Sequence, residues 1–153
     1  EGAHIVVVDR VAERATTVAR QIEALGRQAL AITADVTDNQ AIEHMAATVR
    51  HHFGQVDILV NNAAFSQGDD ILTIDEATWD LNLNVVLKSV FLCAKAVLPT
   101  MIEQRRGTIV NIASVNGMST FGEEAYSAGK AGVINLTRNM ATKYGQYNRH
   151  YRK

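Results

Sequence analysis

The sequence predicts an α/β fold, a parallel β-sheet with helices on both faces. Strand-like and helix-like segments alternate along the 153 residues at β-α-β spacing. The strand segments, such as Ile5-Val6-Val7-Val8 and Ile58-Leu59-Val60, are continuous apolar runs, the pattern of strands buried on both faces. Each run gives way to polar residues at its carboxyl end: Asp9, Asp35, Asn61-Asn62 and Ser114.

The first strand covers Ala3 to Val8 and ends at Asp9. A helix follows with Val11, Ala15, Val18, Ala19, Ile22 and Leu25 on one face, and Gly26 stops it. Gln28 to Thr33 is the second strand, leading to Asp35-Val36-Thr37. Thr37 with Gln40 forms a capping-box pair for a helix whose inner face is Ile42, Met45, Ala46, Val49 and Phe53, closed by Gly54. Asp57 to Asn61 is the third strand. Beyond a polar loop, Ser66 to Asp70, a second capping-box pair, Thr73 and Glu76, opens a long helix from about Asp75 to Arg105, with a break expected near Leu83. Val85, Val86, Val90, Phe91, Cys93, Ala94, Val97, Leu98 and Met101 make it apolar over more than one face. It is therefore expected to cover the sheet and also meet another subunit. Pro99, the only proline, is expected to kink it. Thr108 to Ile112 is the fourth strand, and a loop rich in Gly, Ser and Thr leads to a last helix from about Glu123 to Tyr144-Gly145. Residues 1–147 read as one partial domain and 148–153 as an unstructured tail.

The bulk composition narrows the function classes. A net charge of −1, without clustered basic charge, argues against nucleic acid and anionic membrane as partners. No unbroken apolar run approaches the ~18 residues of a membrane span, and EGAHIVVVDR lacks the features of a signal peptide. The single cysteine, Cys93, has no disulfide partner within the chain and fits a reducing compartment, so a cytoplasmic location is expected. His44, His51 and His52 lie on a solvent-directed helix face that no cysteine or carboxylate completes, and no metal site is expected there.

Tyr126 and Lys130 stand four apart on the last helix and project from one face. A free phenol, with a pKa of ~10, is a poor base near neutrality. An ammonium one turn away favours phenolate and makes the pair a proton donor and acceptor. Taken alone, one Tyr-x-x-x-Lys is unsurprising by chance, Ser114 is an ordinary turn or cap residue, and Asp9 an ordinary helix cap. Position raises their standing, because ligands in open α/β sheets bind beyond the carboxyl ends of the strands. A single cleft is expected to collect Asp9, Asp35, Asn61-Asn62 and Ser114, flanked by Phe65, Met118 and Phe121. An acid after such a strand is suited to accept hydrogen bonds from ribose hydroxyls.

Five pieces occur in an order that resembles the short-chain dehydrogenase/reductase family. They are Gly2-Ala3…Val8-Asp9, Asp35-Val36-Thr37, Asp57-Ile58-Leu59-Val60-Asn61-Asn62-Ala63-Ala64, Gly107-Thr108-Ile109-Val110-Asn111-Ile112-Ala113-Ser114, and Tyr126-Ser127-Ala128-Gly129-Lys130. The resemblance extends to about Asn148. It implies a Rossmann-like three-layer sandwich with a mostly parallel sheet, and hydride transfer between NAD(P) and a small alcohol or carbonyl compound. By that resemblance Ser114 hydrogen-bonds the substrate oxygen, Tyr126 exchanges a proton with it, and Lys130 supports Tyr126 and holds the nicotinamide ribose. Asp35 and Val36 line the adenine site, with Asn62 and Ala63 beside the adenosine ribose and the nicotinamide side. Asp9 takes the adenosine ribose hydroxyls, and its carboxylate repels a 2′-phosphate, favouring NAD over NADP, while Arg10 softens that preference. A homo-oligomer, dimer or tetramer, is expected of the full-length form.

The sequence departs from the family in three places. Ala64 stands where the family has glycine. Val86 stands where the family has a helix asparagine, seven residues after Trp79, and Asn84 lies on the wrong face unless the helix is irregular there. The family's first strand with its Gly-rich turn and its last strands have no counterpart. The sequence is therefore expected to be a fragment, inactive alone, whose sheet has a central gap or pairs Ile5–Val8 directly with Ile58–Asn61. Two alternatives stand beside the dehydrogenase: an inert α/β fragment, and an epimerase or dehydratase on the same scaffold. The Asp-Val-Thr and Asn-Asn-Ala pieces and the short Ser114–Tyr126 separation favour the dehydrogenase over the epimerase or dehydratase.

Overall fold

The computed structural model describes residues 2–68, 70–119 and 122–148. Strands and helices alternate as expected, and the chain divides into two compact units, residues 1–54 and 55–153. Within the described residues the strands form two parallel pairs, and the direct pairing of Ile5–Val8 with Ile58–Asn61 does not occur.

In the first unit, β1 (Ile5–Asp9) runs parallel to β2 (Ala29–Thr33), in register from Ile5 opposite Ala29 to Asp9 opposite Thr33. Helix α1 (Ala12–Ala24) buries Ala15 and Ala19, side chains small enough to let it lie close to the strands. The inner stripe is narrower than the spacing predicted, since Val18 is 42% exposed and Leu25, already past the last helical residue, 80%. Helix α2 (Asn39–Phe53) buries the expected Ile42, Met45, Ala46 and Val49, and ends at Gly54 in the left-handed conformation. Its N-cap is Asp38 rather than Thr37. The Asp38 carboxylate accepts from the N–H groups of Gln40 and Ala41, while Thr37 is turned back onto Asp35. His4 stacks on Phe53 at 5.9 Å between ring centres, tying the start of β1 to the end of α2.

In the second unit, β3 (Ile58–Asn61) runs parallel to β4 (Thr108–Asn111), with Asn61 opposite Asn111. Ile58 and Val60 are 59% and 54% exposed, so this strand is not buried on both faces as its apolar run suggested. The long helix is continuous but irregular: α3 (Glu76–Leu83), a π-helical turn over Asn84–Lys88, and α4 (Ser89–Glu103). The irregularity falls where a break was expected. Asp75, not Thr73, caps its start, accepting from the Thr78 N–H at 2.7 Å and the Thr78 hydroxyl at 3.0 Å. Thr73 belongs to the preceding turn, where its hydroxyl bonds the Asp70 carbonyl. The helix continues through Pro99 to Glu103, and Arg105, at φ 52°, turns the chain out of it.

Taken as 28 continuous residues, Glu76–Glu103 is long and apolar enough on average to cross a membrane, although no unbroken apolar run in the sequence is. In this fold Val90, Leu92, Cys93, Ala94, Val97 and Met101 are buried as core. Helix α5 (Glu124–Tyr144) lies against the π-turn through its glycines: a Cβ on Gly129 would stand 2.8 Å from Val86, and one on Gly132 2.7 Å from Leu87. Val86, Val90 and Val133 form the centre of this packing, with Leu87, Tyr126 and Leu136 around it.

Candidate active site

Because both pairs are parallel, residues following paired strands emerge at the same sheet end. In the first unit this collects Asp9, Arg10, Asp35 and Val36. The Ala34 N–H bonds the Asp9 carbonyl at 3.1 Å, carrying β2 past β1. Asp9 Oδ1 accepts from the Val11 N–H at 2.8 Å, so Asp9 does shape the turn into α1. Its other oxygen has no hydrogen bond among the described residues. Asp35 Oδ1 accepts from the Thr37 N–H at 2.8 Å and the Thr37 hydroxyl at 2.7 Å. These two bonds hold the Asp35 carboxyl below its usual range against an opposing effect of burial, with a smaller contribution from the Arg10 charge.

In the second unit the Ile112 N–H bonds the Asn61 carbonyl at 3.0 Å, extending the β3–β4 pair by one step. Asn62 and Ala63 follow β3 and are exposed. Ser114 is half-buried and caps a 3-10 turn, Val115–Gly117, its Oγ accepting from the Asn116 N–H at 3.2 Å. That turn rests on α5: a Cβ on Gly117 would stand 2.7 Å from the Lys130 carbonyl carbon and 2.8 Å from the Ala131 nitrogen, a closeness only glycine allows. The turn carrying Ser114 is thereby seated against α5 at Lys130.

Lys130 is only 2% exposed. Its Nζ donates to the Ile112 carbonyl at 2.5 Å and lies 5.5 Å from the centre of the Tyr126 ring. Burial disfavours the ammonium and lowers the Lys130 pKa. One of its three N–H donors is committed to Ile112, which leaves donors for Tyr126 or a ligand. Tyr126 is half-buried against the Val86 cluster.

The structure thus gathers the proposed residues into two groups, Asp9, Asp35 and Val36 in the first unit, and Asn62, Ala63, Ser114, Tyr126 and Lys130 in the second. Among the flanking apolar residues, Met118 is 74% exposed, Phe65 is half-buried, and Phe121 lies outside the described residues. The π-turn supplies the irregularity that would be needed to bring Asn84 inward, yet Val86 is the buried residue, at 1% exposure, and Asn84 is half-exposed. Sequence reasoning missed two features. The Ile112 carbonyl that anchors Lys130 is a backbone atom, to which residue type gives no clue. Asn82, fully buried, donates to the Gln67 and Thr78 carbonyls at 2.8 Å, fastening the loop after β3 to α3.

The sequence profile of the family described as short chain dehydrogenase matches residues 1–149, and the chain belongs to that family. It is 38% identical over 146 residues to the (2S)-[(R)-hydroxy(phenyl)methyl]succinyl-CoA dehydrogenase subunit BbsD of Thauera aromatica, a match covering 95% of this chain and 59% of that protein. A short-chain dehydrogenase/reductase structure from Burkholderia xenovorans superposes with a TM-score of 0.92 at 37% identity, covering 97% of this chain and 59% of the other. A metagenomic short-chain oxidoreductase in complex with NADP gives 0.91 at 34% identity, with coverages of 95% and 67%. The NAD+-bound xylitol dehydrogenase gives 0.91 at 28% identity, with coverages of 95% and 56%. The fold is thus the Rossmann-like α/β fold of this family in part, and family members bind NAD or NADP. The chain spans about 59% of the length of the curated relative.

Proposed function

We propose that the protein is an oxidoreductase that transfers a hydride between NAD(P) and the carbon bearing the oxygen of a small alcohol or carbonyl substrate. Tyr126 is the group that exchanges the proton. The observation that carries this reading is Lys130: an ammonium buried one helical turn from Tyr126 and fixed to the carbonyl two residues before Ser114. Burying an ammonium is costly unless it is partnered, and perturbed, buried charge of this kind clusters at working sites.

Each unit carries groups suited to one part of a nicotinamide dinucleotide. Asp9 has a carboxylate oxygen available for the vicinal hydroxyls of a ribose, and Lys130 has N–H donors beyond the one given to Ile112. When bound, the nicotinamide supplies or accepts the hydride. Ser114 holds the substrate oxygen and stabilises negative charge on it. Tyr126 gives or takes the proton, helped by the nearby Lys130 charge. Asp35 and Val36 line the adenine, and Asn62 and Ala63 contact the ribose and nicotinamide side. The Asp9 carboxylate favours NAD over NADP. The lone, buried Cys93 suits the cytoplasm, and the apolar outer face of α4, including Phe91, suits a dimer or tetramer.

The test combines NADH fluorescence titration of this chain with turnover of the full-length form, as wild type and as Tyr126→Phe. The variant is expected to bind NADH as the wild type does while kcat falls by about 10²–10⁴-fold, the usual contribution of a positioned acid or base. Turnover retained in the variant removes Tyr126 from the mechanism. No binding at millimolar NADH rejects the enzyme reading in favour of an inert α/β segment.

A further inference from the structure

Three polar side chains outside the proposed acid–base group form a single directed run of hydrogen bonds. Asn61, at the end of β3, donates through Nδ2 to Oδ1 of Asn111, at the end of β4, at 2.8 Å. Asn111 in turn donates through Nδ2 to the Thr137 hydroxyl on α5 at 2.8 Å. The Thr137 hydroxyl donates to the Val133 carbonyl at 2.7 Å. The last link fixes the direction of the others. A carbonyl can only accept, so the Thr137 proton is spent there and its oxygen must accept from the amide nitrogen of Asn111. The amide oxygen of Asn111 then faces Asn61.

Each member is next to something the proposed chemistry needs. Asn61 precedes Asn62. Asn111 precedes Ile112, whose carbonyl receives Lys130, and lies three residues before Ser114. Thr137 lies seven residues beyond Lys130, two turns along the same helix face. Helix α5 is therefore fastened to the end of β4 at two points, Lys130 to Ile112 and Thr137 to Asn111. One point leaves a helix free to pivot; two set its rotation and its axial position together. The Val86–Val90–Val133 contacts press the helix in place but, unlike hydrogen bonds, are non-directional.

We propose that the Asn111–Thr137 hydrogen bond is a positioning device that sets Lys130 and Tyr126 against the strand end carrying Ser114. Thr137 and Asn111 are positioning residues, acting through Lys130 and Tyr126. The inference rests on the proposed acid–base role of Tyr126 for its kinetic consequence only. Its geometric consequence, the placement of Lys130, is measurable without turnover.

The experiment compares Thr137→Val, which keeps the shape and removes the hydroxyl, with Thr137→Ser, which keeps the hydroxyl. Turnover of the full-length form is measured as kcat and KM, and the acetylation rate of each lysine by mass spectrometry after a brief pulse of acetic anhydride. In the wild type, buried Lys130 is expected to react far more slowly than exposed Lys95 and Lys143. In Thr137→Val the Lys130 rate rises severalfold while Lys95 and Lys143 are unchanged. Its kcat falls by about 10- to 100-fold, the scale of a misplacement near 1 Å, with KM little changed. Thr137→Ser restores both values. A valine variant that loses melting temperature but keeps kcat and Lys130 protection overturns the proposal, because the bond then serves stability alone. A serine variant with low kcat or an unprotected Lys130 also overturns it, and decides the matter if the valine variant does not fold. If the full-length wild type turns nothing over, the enzyme reading fails, and the acetylation rates still decide the placement.

Discussion

Replacing Gly129 by alanine sets two effects of similar size against each other. Alanine in a helix interior is favoured over glycine by about 1 kcal/mol, through the backbone entropy that glycine loses. Against this, the new Cβ would stand 2.8 Å from Val86 Cγ1, 3.1 Å from Val86 Cβ and 3.7 Å from Leu83 Cδ2. Val86 is 1% exposed and packed with Val90 and Val133, and a β-branched side chain in a helix has little rotamer freedom. It must move bodily, and forcing a methyl group into a packed core costs about 1–3 kcal/mol. Gly129→Ala is therefore expected to be destabilised, by about 1 kcal/mol as the difference of these ranges. Gly132, one turn on, is the internal control. Its Cβ would meet Leu87 Cδ2 at 2.7 Å and Cδ1 at 3.1 Å, the far end of a flexible, half-buried side chain that can swing aside. There propensity wins, and Gly132→Ala should be neutral or up to about 1 kcal/mol more stable. Urea denaturation followed by the fluorescence of Trp79, the only tryptophan and a residue of α3, reads the second unit directly. Adding Val86→Ala should offset part of the Gly129→Ala loss, with a coupling of about 0.5–3 kcal/mol. A Gly129→Ala protein as stable as Gly132→Ala, with no coupling to position 86, would show that this helix contact is looser than described.

Two titration predictions concern buried groups. Burial places the folded pKa of Lys130 below its ordinary 10.5, so between those values the unfolded chain binds more protons than the folded one, and stability rises with pH. The stability of the wild type relative to Lys130→Met, measured by urea midpoints, should therefore climb as pH rises through that window; a relative decline would contradict the desolvation argument. Cys93 is 6% exposed and its thiol is pushed up to about 11 by burial. An aromatic disulfide reagent at about pH 8 should leave it untouched in the native protein and titrate it fully in denaturant, since only the thiolate reacts; prompt native labelling would refute its burial.

The elements were legible where apolar runs and periodic faces dominate, as for β1, β3 and the inner face of α2. The helix starts were read less well. Thr37 and Thr73 have acceptable capping-box spacing, but an aspartate stands one and two residues later, and a carboxylate is at least as good a cap as a hydroxyl. Thr37 is also drawn away by Asp35, a local competition that spacing does not display. The inner stripe of α1 was overestimated because strands close to a helix leave room for Ala15 and Ala19 but not for every apolar neighbour. At the site, Ser114, Tyr126 and Lys130 were legible because side-chain identity and helical spacing specify them. The Ile112 carbonyl was not, and neither was the Asn111–Thr137 bond, whose partners are 26 residues apart and unremarkable by type.

The long helix shows how support for the acid–base pair is divided. Its π-turn, in which the Ser89 N–H reaches back to the Asn84 carbonyl, widens the helix where α5 presses against it. A wider turn could carry an inward polar side chain. Instead the turn presents Val86, which fills the space against Gly129, one residue before Lys130, and helps enclose Tyr126. What the long helix contributes is therefore exclusion of water and a fixed distance. The polar restraints described for α5 come from the opposite partner, β4 and its extension: Ile112 for Lys130 and Asn111 for Thr137. Substitutions on the two sides should accordingly differ in kind. Changes at Val86 or Gly129 act through packing, and their effects on turnover should follow stability. Changes at Asn111 or Thr137 act through direction, and should alter turnover beyond what stability accounts for.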